Sequence, residues 1–171
     1  MFAWLQKKDW RNSPAYLLLL SKFRIGNSPA RYRDAEHWEA VLEEKPEKVI
    51  VQFEKEGALE EAGLRDLVDY KFNASALKVM LKDRGLKVSG RKEQLIHRLI
   101  ENDEHLMREA TKDLQLYRCT TEGMQLADRY LEGERAKRDA AERDVLDFLA
   151  RKELVKAVRI VAQYEASQVF P

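Results

Sequence analysis

Residues Leu77 to Asp103 read LKVMLKDRGLKVSGRKEQLIHRLIEND. Leu77, Met80 and Leu81 fall at i, i+3 and i+4, which is one face of a helix. Asn73 or Ser75 can cap its start. Leu95, Ile96, Leu99 and Ile100 make a second apolar stripe. Between the two, Gly85 follows Arg84 where a left-handed residue ends a helix, and Leu86 with Leu81 then forms the hydrophobic pair of a Schellman ending. Ser89 or Gly90 can cap the second helix, with Glu93 placed to reach back if Gly90 is the cap. Helices this short are not stable alone. They must pack on each other, with Leu86 and Val88 expected to fill the corner.

Charge is concentrated in the same place. Residues 71 to 100 hold eight Lys and Arg and two acids, Asp83 and Glu93, so they carry 8 − 2 = +6. The whole chain carries +1, which leaves 1 − 6 = −5 for the remainder. Such asymmetry points to a polyanionic partner. Lys87, Ser89, Gly90, Arg91 and Lys92 form the sharpest group. They fall at the mouth of the second helix, where free backbone N–H groups and the helix dipole already favour a phosphate. Gly90 lets a sugar–phosphate backbone come close. Lys82, Arg84 and Arg98 extend the footprint, although Lys78 and Lys82, four apart, read equally well as a solvated helix face.

The segment resembles the SAP motif, a small helix–extended loop–helix module associated with DNA binding. SAP modules show a Leu-Lys helix, a Gly-Leu turn, a Ser-Gly-x-Lys loop and a Leu-x-x-Arg-Leu helix. Here these are Leu77-Lys78, Gly85-Leu86, Ser89 through Lys92, and Leu95 through Arg98-Leu99. The resemblance covers residues 73 to 103, about a fifth of the chain. It implies contact with duplex DNA through phosphates, largely independent of sequence. No helix presents the Arg/Asn/Gln set of a major-groove reader.

Outward from this segment the chain reads as all-α. Its 171 residues are 44% hydrophobic and 36% charged, with only seven glycines and four prolines. Residues 1–56 form an N-terminal helical region. Ser13-Pro14 and Ser28-Pro29 are N-cap and N1 proline signals that open helices over 15–24 and 30–43. Pro46 starts a third helix or, given Val49-Ile50-Val51, a strand. Phe2, Trp4, Leu5 and Trp10 are expected to pack on the body or on another chain. Residues 57–72 connect to the module, with Leu64, Leu67 and Val68 docking a short helical turn. The C-terminal region, 104–171, begins with a short helix through Met107 and allows at most a short β segment near 114–119.

Tyr117 to Gly123 reads first as a loop feeding an N-cap at Thr120 or Thr121. A strand-to-helix join of the winged-helix kind is the other reading. From Thr121 to Ser167 the chain is helical and broken once, near Arg151-Lys152. Residues 132–144 hold no apolar side chain larger than alanine, so this part is solvated. A helical hairpin follows, suited to a homo-oligomer or a protein partner.

Chemistry beyond binding is sparse. No glycine loop has a Walker ending. His37, His97 and His105 stand apart, and Asp34 with His37 is a poor metal pair, so neither a metal nor a cofactor is expected. Lone Cys119 reads as a small buried residue. One cysteine, no signal-peptide pattern and no stretch near the ~20 apolar residues of a membrane span suggest a non-secreted protein. It would be cytoplasmic in a bacterial or viral source and nuclear in a eukaryotic one. The expected function is non-enzymatic DNA binding, as an accessory or architectural factor. The alternative is a protein–protein scaffold, or an accessory subunit of a DNA-processing assembly, in which the module is structural.

Overall fold

The computed structural model describes residues 9–33 and 35–170; the expectation for Phe2, Trp4 and Leu5 falls outside the described residues. Trp10 falls inside and is buried, its ring 4.6 Å from that of Phe53. Its indole N–H donates to Glu56 at 2.7 Å.

Ser13 and Pro14 open α1 (Pro14–Ser21), which buries Leu19 and Leu20 completely. The helix ends short of Arg24, in turns that lead to Gly26 at φ +81°. The single helix expected over 30–43 is two, α2 (Ala30–Arg33) and α3 (Glu36–Leu42), separated by a non-helical Ala35. The reason lies in packing. Tyr32 and Trp38 are six residues apart, about 240° around a straight helix, yet both rings are buried and meet edge-to-face at 5.8 Å. A break is what lets both face inward. Pro46 starts α4 (Pro46–Lys55), and its Val49, Ile50 and Phe53 are buried on one side, so the strand alternative is excluded.

β1 (Leu59–Glu61) follows, then four short helices: α5 (Leu64–Lys71), α6 (Ala74–Lys82), α7 (Lys92–Asn102) and α8 (Glu104–Thr111). The Asp103 carboxylate caps α8 by accepting the Leu106 N–H at 2.9 Å. The β segment expected near 114–119 is β2 (Tyr117–Cys119). It pairs antiparallel with β1, Leu59 opposite Cys119 and Glu61 opposite Tyr117. Tyr117 also bridges Asn27 through two backbone hydrogen bonds of 2.9 Å. The two strands are joined by no tight turn, since residues 62–116 and all four short helices lie between them.

Thr120 then caps α9 (Thr121–Ala150), its hydroxyl accepting the Gly123 N–H at 3.1 Å. The strand-to-helix join and the N-cap are therefore both present. Gly123 is sterically required, because a Cβ there would lie 1.9 Å from the Ala58 carbonyl oxygen. After a turn at 151–153, where Lys152 takes φ +61°, α10 (Leu154–Ala166) runs back along α9. Phe170 reaches the first core again, 4.8 Å from the Trp38 ring. Ten α-helices and one two-stranded sheet among the described residues make the fold mainly α, as expected.

Packing divides the chain differently from the order of its sequence. One core joins Trp10, Leu20, Phe23, Trp38 and Phe53 to Leu59, Tyr117, Cys119 and Ala127. Cys119 is indeed a small buried residue, and burial pushes its thiol up to about 12. The second core joins Leu77, Leu81, Leu95, Ile96 and Leu99 to Val68 and Met107. Thus α5, which the sequence reading leaves in the connector, and α8, which it leaves in the C-terminal region, both pack with the helix–loop–helix. A two-helix unit has too little apolar surface to bury, and the flanking helices supply the rest. Among the described residues no helix is long and apolar enough to cross a membrane.

Candidate nucleic-acid interface

The loop between α6 and α7 starts as its spelling demands. Gly85 takes φ +66°. The Leu86 N–H donates to the Leu81 carbonyl at 2.9 Å, and the Gly85 N–H donates to that of Lys82 at 3.0 Å. These are the two bonds of a Schellman ending. Leu86 tucks partly against the second core, whereas Val88, expected to help fill the corner, is exposed. Residues 87–89 have no regular structure and are all exposed.

The other end of the loop differs from expectation by one residue. The N-cap of α7 is Arg91, not Ser89 or Gly90, and Gln94 rather than Glu93 reaches back, accepting the Arg91 N–H at 3.0 Å. Gly90 sits at φ +126°, a region closed to other residues, and a Cβ there would collide with the Gln94 Oε1 at 2.4 Å. Gly90 therefore serves both to turn the chain and to leave room for the residue that caps it.

The candidate residues fall into two groups. Lys82, Lys87 and Arg91 are exposed and form no ion pair among the described residues. Ser89 and Gly90 are exposed between them. The remaining three cations hold the structure. Arg98 donates from Nη1 to the carbonyls of Lys87 and Ser89, both at 2.8 Å, and so fixes the loop onto α7. Arg84 is partly buried and donates to the Met80 carbonyl at 2.6 Å. Lys92 turns away to α5, 2.6 Å from the Asp69 carbonyl and 2.9 Å from its carboxylate. His97 faces Glu101 at 3.0 Å instead of the loop.

Sequence reasoning missed Asp69 and Gln94, and it gave Arg98 a contacting role without seeing its two carbonyl bonds. Gln94 could have been found, because a Gln three residues after an N-cap is a capping-box signal. Asp69 left no signal, being 23 positions from Lys92.

Chemically the arrangement is an exposed, stiffened loop beside the start of an eleven-residue helix. First-turn amides of such a helix have no intrahelical acceptor; Arg91 caps it, and Lys87 and Lys82 lie in and just before the loop that leads to it. Glu93, in the same first turn, is the one acid there. A second hollow lies between β2 and α9, lined by Arg24 and Arg118. Both are already paired, Arg24 with Asp128 at 2.8 Å and Arg118 with Glu60 at 2.8 Å, so no free charge faces it. Among the described residues no group of three or more His, Cys, Asp or Glu side chains is placed to hold a metal ion.

No curated protein and no solved structure matches the chain. A protein-family model does, over residues 71–104, which span α6, the loop and α7. That model is the SAP domain, and the segment it matches is the one with the Schellman turn, the Gly90 bend and the basic helix mouth.

Proposed function

We propose that this chain is a non-enzymatic protein that binds duplex DNA through its phosphates. Lys82, Lys87 and Arg91 make the ionic contacts, and the backbone at Ser89 and Gly90 approaches the strand. Arg84, Arg98 and Lys92 position the loop and the helix that carry them. The observation that bears most of this reading is the set of three exposed, unpaired cations grouped around a loop whose shape is fixed from behind. Free surface cations are commonplace; free cations on a stiffened loop at a helix mouth are not. The SAP match points to nucleic-acid binding in general. Preference for phosphates over bases follows from the side chains at hand. Gln94, the one amide at the helix mouth able to read an adenine edge, is held by its own N-cap.

The test is binding of the full chain to a short fluorescent duplex across a salt series. Three phosphate contacts give a slope of log K against log salt of about −2.7. Unrelated duplexes should compete equally. Absence of binding at about 50 mM salt, where phosphate contacts are strongest, would sink the proposal. A second reading, an accessory subunit that works through protein contacts, is favoured by one observation: α9 and α10 leave large apolar side chains in solvent.

A further inference from the structure

Helix α10 is apolar over more of its circumference than α9 covers. Ala157, Ile160 and Tyr164 are its more buried positions and face α9. At about 100° per residue, Leu154, Val158 and Val161 lie just beside that strip and Val155 beyond them. On α9, Leu146 and Leu149 are likewise uncovered. These six side chains are between 42 and 75% exposed.

A groove between the two helices shows that they share one face. Val145 and Glu142 line it from α9, and Val161 and Glu165 from α10. Leu149 lies one turn from Val145 and Leu146 one turn from Glu142, while Val158 and Leu154 continue the Val161 row. The apolar surface therefore runs across the hairpin on the groove side. The polar positions Lys156, Arg159 and Gln163 lie on the other side of α10.

We propose that this face pairs with a second copy of the chain, arm against arm, in a two-fold dimer. The six side chains offer on the order of 500–600 Å², before any polar rim is counted, against the ~800 Å² each partner gives to a standard interface. That is the upper end of the largest apolar patch of a typical monomer, about 300–600 Å². Charge argues for a copy rather than another class of partner. The groove carries Arg138 beside Glu142 and Glu165. A nucleic acid or an acidic surface needs one sign, whereas a two-fold mate running antiparallel can set each charge against its opposite. The dimer deepens the protein-contact reading above and is independent of the DNA reading.

The decisive experiment is the mass of the purified full chain by sedimentation equilibrium, without DNA, over a concentration series. The expected result is a shift from 20.0 kDa toward twice that value. Val158→Glu and Leu154→Glu should each raise the dimer dissociation constant about 100-fold or more, because a buried unpaired carboxylate is strongly unfavourable. Gln163→Glu, on the polar side of α10, should leave it unchanged. All three positions are exposed in the single chain, so helical content by circular dichroism should match the parent in each. A parent chain that stays at 20.0 kDa up to about 100 μM, a concentration far above ordinary interface affinities, would overturn the proposal. So would a dimer that survives both glutamates, or one that Gln163→Glu dissolves equally well.

Discussion

At the scale of single residues, the basic cluster separates into cations that are free and cations that build. Lys87→Ala with Arg91→Ala should weaken duplex binding at every sequence alike and reduce the salt slope by about 1.8, which is 0.9 for each lost phosphate. Its melting temperature should match the parent's. Arg98→Ala should behave otherwise. It removes two hydrogen bonds from a charged donor to loop carbonyls, a loss of about 1–3 kcal/mol. The reading to make is faster amide exchange over residues 87–90 together with weaker DNA binding. A binding loss with unchanged exchange would instead give Arg98 a contacting role.

Glu56 carries a pH dependence of a different origin. The Gln52 amide and then the Trp10 N–H hydrogen-bond its carboxylate, Arg11 adds to them, and despite some desolvation they hold it down to about 2. A carboxyl depressed in the fold stabilises above its ordinary 4.5, and that contribution is lost as pH falls from 4.5 toward 2. Glu56→Gln should therefore melt below the parent at neutral pH, and the gap should close by about pH 2. What was legible at this scale was local. Gly85 and Leu86 could be read because a Schellman ending depends on neighbours in sequence. Nothing near Lys92 or Glu56 in the sequence names Asp69 or Trp10, since those partners arrive only when elements pack.

Elements were legible where periodicity and caps agreed. Helices α6 and α7 follow from apolar spacing, α4 was one of two readings that spacing left open, and Thr120, one of two candidate caps, opens α9. Helix 30–43 failed because the pull of two aromatic rings toward one core outweighs the continuity of a helix. β1 failed because three residues show no alternation, and their partner strand lies some 58 positions further on. The close seating of β1 on α9 has a measurable consequence. Gly123→Ala must push the helix off the Ala58 carbonyl, so it should destabilise the first core by several kcal/mol, in the range of overpacking and beyond. Chemical denaturation would report it. In the second core, Leu95→Ala or Leu99→Ala removes a fully buried side chain and should cost about 2.7–5 kcal/mol. The shape of the loop between α6 and α7 should be lost with it.

For the whole molecule, the division of the chain into consecutive regions was the least legible property. Each core collects residues from distant parts of the sequence, and the SAP helices need α5 and α8 to complete their own. Because Glu61 and Tyr117 stand opposite each other in the ladder, replacing residues 62–116 by an Asn-Gly turn should leave the first core folded, since such a turn suits antiparallel strand ends. The shortened chain should keep its helical signal from α1, α4 and α9 and lose all duplex binding. Collapse of the remainder would show that the two cores depend on each other.

The same pair of strands governs how the protein bears load. A pull applied to residues 63–115 reaches the first core through residues 62 and 116, both at one end of the β1–β2 ladder. Tension there opens the ladder one hydrogen bond at a time, beginning with the 2.9 Å bond from the Ala62 N–H to the Leu116 carbonyl. It never loads all the bonds together. The strand pair is thus where the first core should begin to yield under tension, because Leu59, Tyr117 and Cys119 belong to that core, while the seat of Gly123 on Ala58 lies behind it.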